Sequence, residues 1–158
     1  HWSLLPLNRG PNPIQWAIIK GENYTGVTVH FIDDGLDTGD IIIQQKIAIE
    51  DEDTWLSLKE KLIKTSNSII KDSVPKLFQK KYKRRKQNDL IATKNSRLNS
   101  NFPKIDFSIM TDLEIYNLIR AQVKPLRGAF LDIGKERIFF PIFLNIQEVK
   151  KIRKKYEK

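Results

Sequence analysis

Apolar and polar positions along the 158 residues change period several times. The run Val27-Thr28-Val29-His30-Phe31-Ile32 is dominated by β-branched and aromatic residues with no helical spacing, and it predicts a strand. Ile41-Ile42-Ile43-Gln44-Gln45-Lys46-Ile47-Ala48-Ile49 predicts a second strand. Between them, Asp33 to Asp40 holds four carboxylates and two glycines, which predicts a sharp turn that presents Asp side chains at the mouth of a sheet. Upstream, Asn12-Pro13 suits a helix start, with Asn able to cap and Pro at the first helical position, and Gly21 suits its end. From Asp53 to Gln79 the apolar residues Trp55, Leu58, Leu62, Ile69, Val74 and Leu77 recur mostly at three- and four-residue steps. This predicts a core-facing helix, capped by Asp53 or Thr54 and kinked or divided by Pro75 near Ser73.

The pattern then weakens. Residues 80–104 open with a basic run, continue as a polar stretch and end near Pro103, which predicts a linker. Thr111 and Glu114 form a capping box ahead of Leu113, Tyr116, Leu118 and Ile119, predicting a short amphipathic helix. Gly128 to Ile133 and Arg137 to Phe140, joined across Gly134-Lys135-Glu136, predict a hairpin, with a final strand or short helix and a charged tail after it. The expected organisation is therefore 1–79, a linker at 80–104 and a small unit at 105–158.

Charge and composition narrow the chemistry. The net charge of +9 is concentrated in Lys80 to Lys86 and in the tail from Lys150, which leaves the body of the chain nearly neutral. Such runs can neutralise phosphates, but more often they are solvated linker and tail. The absence of cysteine excludes a disulfide framework, a thiolate nucleophile and a cysteine-ligated metal, and it fits a reducing compartment. Short apolar runs give no membrane span, and no basic-then-apolar leader opens the sequence, so a cytoplasmic protein is expected. The Asp-rich turn lacks the alternating ligands of a calcium loop, and no metal is expected.

Several ordered motifs carry a family resemblance. His1-Trp2-Ser3-Leu4-Leu5-Pro6, Arg9-Gly10, Pro13-Ile14-Gln15-Trp16-Ala17-Ile18 and Gly26-Val27-Thr28-Val29 leading to Leu36-Asp37-Thr38-Gly39 resemble the folate-dependent formyltransferases. Ile105-Asp106-Phe107, Ile115 to Ala121 and Pro125-Leu126-Arg127-Gly128-Ala129-Phe130 resemble the segment C-terminal to the catalytic domain in the branches acting on methionyl-tRNA and on amino sugars. The implied fold is α/β: the second half of a Rossmann-like formyltransferase domain, and after it a small α+β segment of helix plus β-hairpin. With 52 residues after Asp106 there is too little chain for the five-stranded C-terminal barrel of the tRNA enzymes, which favours the sugar branch.

The resemblance implies transfer of a formyl group from 10-formyltetrahydrofolate to a primary amine, with the amine carried by a nucleotide-linked sugar. Methionyl-tRNA is the alternative acceptor, and an inactive remnant that acts as a binding partner is a third reading. His1 and Asp37 match the catalytic His and Asp. The family's third group is an Asn two positions before the His, and its position precedes His1, so an upstream half is expected to supply it. Phe31, Ile32, Asp33, Asp34, Gly35 and Leu36 match the folate-binding loop, while Ser3, Leu5, Pro6, Arg9 and Gly10 match a loop beside the acceptor. Arg9 projects a fixed cation and is a candidate for an anionic part of the acceptor, or else for a surface ion pair. On the residues alone, Asp37 is an ordinary turn-former, and His30 suits a hydrogen-bonded or exposed role better than catalysis. The hairpin offers a surface for a homodimer contact.

Overall fold

In the computed structural model, residues 1–157 are described. Helix α1 (Pro13–Ile19) leads into strand β1 (Tyr24–His30), which pairs antiparallel with β2 (Ile41–Ala48), and the long helix α2 (Trp55–Phe78) comes next. After a short 3-10 turn (Asp89–Ile91) come α3 (Asp112–Arg120), the hairpin β3 (Ala129–Ile133) and β4 (Glu136–Phe140), and α4 (Ile146–Tyr156). The final segment, left open between strand and helix by the sequence, is helical. Among the described residues, no helix is long and apolar enough to cross a membrane.

Strand β1 begins three residues earlier than its apolar run suggests, because Gly26 allows the backbones to close up. A Cβ there would lie 2.2 Å from the Gln45 carbonyl oxygen. The strand ends at His30, and Phe31 N–H donates to Asp40 O (3.0 Å) across the neck of the turn. Two expectations about caps and breaks are corrected. Asn12 does not cap α1: it is left-handed (φ 58°), and its Oδ1 accepts the Leu98 N–H (3.2 Å), tying the helix start to the distant 95–98 segment. Pro75 does not divide α2. It lies in the last turn, where few hydrogen bonds remain to be lost, and Gln79 N–H still donates to its carbonyl.

The N-terminus of α2 forms as expected. Thr54 Oγ1 accepts from Ser57 N–H, and Ser57 Oγ accepts from Thr54 N–H. Asp53 reinforces this cap, taking Ser57 Oγ–H, Glu50 N–H and Lys61 Nζ on its carboxylate. The inner face of α2 buries Leu58, Leu62 and Ile69 against Ile14, Ile18 and Val27, which packs β1 and α1 onto the helix. Trp55 is partly buried and packs against this cluster.

A second cluster lies between α3, α4 and the hairpin, around Ile115, Ile119, Leu131 and Val149. Ile19 packs against both clusters. Polar contacts also join them: Tyr116 Oη donates to Asp51 O (2.6 Å) and Arg120 Nη1 to Asp53 O (2.8 Å). Residues 80–104 run between the two, making backbone bridges to Arg9, Ile41 and Phe130.

Candidate active site

Thr28, fully buried on β1, organises the N-terminal segment. Its N–H donates to His1 O (2.8 Å), its carbonyl accepts His1 N–H (2.9 Å) and its hydroxyl donates to Ser3 O (2.6 Å). Residues 1–3 are thereby laid along β1, and His1 is brought to the end of the sheet that carries the Asp-rich turn. The His1 imidazole has two neighbours. Nε2 donates to Asn8 O at 2.9 Å, and Nδ1 lies 3.6 Å from Asp37 Oδ2.

Asp37 is held from several sides. It adopts a left-handed backbone (φ 55°), its Oδ2 accepts the Gly10 N–H at 2.7 Å, and its carbonyl accepts from Gln87 Nε2 (2.8 Å). Gln87 Nε2 also reaches Gly39 O, so one amide clamps both sides of the turn. Gly10 is required by its conformation (φ 92°) and by crowding: a Cβ would sit 3.0 Å from Asn95 O and 3.2 Å from Leu36 Cδ2. Gly39 admits no side chain, since a Cβ would meet Phe31 O at 1.8 Å.

The loop 31–36 is built from within. Asp33 Oδ1 accepts both Gly35 N–H (3.1 Å) and Thr38 Oγ1–H (2.6 Å), and the Thr38 bond is the main reason its carboxyl is held below the ordinary range. Phe31 packs against Tyr82 and lies under the Arg84 guanidinium, which also bonds Asp40. Ile32 is left 95% exposed and Leu36 52% exposed.

The expected acceptor loop divides in two. Ser3 and Leu5 face inward: Ser3 Oγ donates to Leu7 O (2.6 Å), and Leu5 is buried. Pro6 is half-buried, and its carbonyl accepts Thr93 N–H. The Arg9 guanidinium is buried, not projecting. It donates to Gln87 Oε1 (3.0 and 2.8 Å) and Asp89 Oδ1 (2.8 Å), so its charge is engaged within the fold.

Sequence pattern did not single out Asn8, Gln87 or the position of His30. His30 Nδ1 donates to Phe31 O (2.8 Å) and Nε2 lies 3.8 Å from Asp37 Oδ1, so the carboxylate stands between two imidazoles. The alternation of β1 held the signal for His30, since it sits at the strand end beside the turn. Asn8 and Gln87 lie in loops with no periodicity to mark them.

An imidazole 3.6 Å from a carboxylate fixed by a backbone N–H is an arrangement capable of acid/base chemistry. Residues 1–74 match the formyl transferase family model, and this part of the chain belongs to that family. Over 130 residues the chain is 39% identical to methionyl-tRNA formyltransferase of Caldanaerobacter subterraneus subsp. tengcongensis, a match spanning 82% of this chain and 41% of that protein.

Among solved structures, it superposes on the N-formyltransferase from Helicobacter canadensis in complex with folinic acid and dTDP-3-aminofucose. The TM-score is 0.74 and the identity 33%, over 86% of this chain and 50% of the other. It also superposes on a 4-N formyltransferase from Francisella tularensis with a TM-score of 0.79 and 26% identity, over 92% of this chain and 61% of the other. The chain thus spans between two fifths and two thirds of the length of these relatives.

Proposed function

We propose that these residues are part of an N-formyltransferase that takes its formyl group from 10-formyltetrahydrofolate and passes it to the primary amine of a nucleotide-linked amino sugar. The observation that carries this reading is the approach of His1 to Asp37, with the carboxylate anchored on Gly10 N–H at 2.7 Å. The donor supplies an activated formyl carbon; attack by the amine places negative charge on the formyl oxygen and positive charge on nitrogen. Asp37 is positioned to hold His1 protonated, so that the imidazolium charge stabilises the developing oxyanion, and to receive the proton the amine loses. Collapse of the adduct then breaks the formyl C–N10 bond, and that proton passes to N10 of the departing tetrahydrofolate.

The loop Phe31 to Leu36 would hold the pterin, with Ile32 and Leu36 against its face. The segment Pro6 to Gly10 would border the acceptor through its backbone, because Ser3 and Leu5 point inward and Arg9 is engaged with Asp89. Arg9 on this reading fixes Gln87, and through it the turn of Asp37, instead of meeting the acceptor's anion directly.

The amino-sugar acceptor is supported by the complex of the Helicobacter canadensis relative with dTDP-3-aminofucose. Methionyl-tRNA is the second reading, favoured by the 39% identity to a tRNA enzyme. Formyl transfer from 10-formyltetrahydrofolate, measured with a dTDP-amino sugar and with methionyl-tRNA in parallel, tests the choice. Turnover of the sugar alone supports the proposal, and turnover of the tRNA alone replaces it. The β3–β4 hairpin is proposed as a homodimer contact, to be read from the molar mass in solution.

A further inference from the structure

Asn8 is buried in a loop with no secondary structure, yet each of its polar groups is engaged. Its backbone is left-handed (φ 56°), and its N–H donates to Thr93 Oγ1 at 2.8 Å. Nδ2 donates to both carboxylate oxygens of Glu22 (3.0 and 2.9 Å), and Oδ1 accepts Lys20 Nζ at 2.7 Å. Lys20 in turn reaches Asn95 Oδ1 (2.8 Å).

Helix α1 delivers these groups through its own ending. Lys20 caps the helix, Gly21 turns left-handed (φ 65°), and the N–H groups of Gly21 and Glu22 close on Ile18 O and Ala17 O, which sets Lys20 and Glu22 beneath Asn8. Burial raises the Glu22 carboxyl above its ordinary range, opposed by the Asn8 hydrogen bonds and the Lys20 charge.

What this clamp leaves pointing at the active site is one atom, the Asn8 carbonyl oxygen, 2.9 Å from His1 Nε2. A carbonyl only accepts, so Nε2 must carry hydrogen. Proton gain and loss then fall to Nδ1, the nitrogen that faces Asp37 Oδ2 at 3.6 Å. We infer that Glu22, Lys20 and Asn8 are positioning residues for His1: they lock the Asn8 carbonyl, hold the imidazole with Nε2 protonated, and confine proton transfer to Nδ1. A loop carbonyl held by its backbone alone would leave the ring free to rotate and to exchange tautomers; the clamp removes that freedom at a group where small displacements weaken catalysis strongly.

The catalytic consequence rests on the proposed formyl transfer, but the tautomer itself does not. Long-range proton–nitrogen correlation spectra of the 15N-labelled chain report the protonation of each ring nitrogen, with His30 as an internal control and His1→Gln to assign the signals. The expected result, recorded at alkaline pH where the ring is neutral, is hydrogen held on Nε2 of His1 in the wild type. In Glu22→Ala and Lys20→Met the His1 nitrogen shifts should converge toward a mixture of tautomers while His30 is unchanged, and Glu22→Gln, which keeps an acceptor for Asn8, should restore most of the wild-type pattern. Transfer activity should fall roughly ten- to hundredfold in the first two variants, through kcat rather than KM. Identical His1 spectra in wild type, Glu22→Ala and Lys20→Met, all folded, would overturn the inference. A tautomer shift that leaves transfer activity unchanged would uphold the clamp and count against the function proposed above.

Discussion

Asp37 accepts the backbone N–H of Gly10 at 2.7 Å with the same carboxylate oxygen that lies 3.6 Å from His1 Nδ1. Three segments distant in sequence, the first residue, the Arg9-Gly10 loop and the turn between β1 and β2, meet at one oxygen. The carboxylate is thus placed by the backbone before any ligand arrives, which is the preorganisation an acid/base group needs.

Asp37→Asn tests that placement. The amide oxygen can still accept from Gly10, so the fold should be kept, while the group that holds and receives the proton is gone. Formyl-transfer kcat should fall by about 10²–10⁴-fold with thermal unfolding nearly unchanged. A fall of less than threefold, by ordinary steady-state assay, would remove Asp37 from the chemistry.

Gly39 bears on the same turn from the structural side. Since a Cβ would overlap Phe31 O, Gly39→Ala must push apart the neck closed by Phe31 N–H and Asp40 O. Urea unfolding should show a loss of about 1–3 kcal/mol, the range for overpacking in a closed site. Gly134→Ala, where nothing lies within 4 Å of the added carbon, carries only the strain of its left-handed backbone and should cost less.

Leu58 and Leu62, both fully buried on α2, hold the sheet and α1 together. Replacing either with Ala should cost about 2–5 kcal/mol in chemical denaturation. The exposed Leu56 on the same helix should be nearly silent when replaced with Ala, which separates core packing from the small gain in helix propensity.

Asp53 predicts an acid dependence. Burial raises its pKa, but the bonds from Lys61, Glu50 N–H and Ser57 outweigh burial, and the net shift is downward from 3.8. A carboxyl whose pKa is lower in the folded state contributes stability above its unfolded value, and that contribution is lost as pH falls through the folded value. Stability measured by urea unfolding should therefore drop below about pH 4 in the wild type, and more shallowly in Asp53→Asn.

Much of this arrangement was legible in the sequence. The two strands, the Asp-rich turn, the capping box at Thr111 and the hairpin all announce themselves through period and local hydrogen-bonding capacity. His1 and Asp37 needed the family motifs, because nothing in their own neighbourhoods says that they meet. Asn8, Gln87 and the inward turn of Arg9 were not legible at all. Their partners are Glu22, Asp37 and Asp89, and such loop-to-loop bonds come from the folded path, not from spacing. The same applies to Asn12, whose side chain is drawn from its cap position by Leu98.

The most direct test of the central claim is a calorimetric titration of this chain with folinic acid, comparing wild type with Ile32→Asp. Ile32 is solvent-exposed, so the substitution should leave the fold intact while placing a charge where the pterin is expected to lie. Binding in the micromolar range is expected for the wild type, weakened by about tenfold or more in Ile32→Asp, since about 1.4 kcal/mol of lost contact suffices for that factor. Folinic acid that binds both proteins equally would contradict the assignment of residues 31–36 as the folate loop.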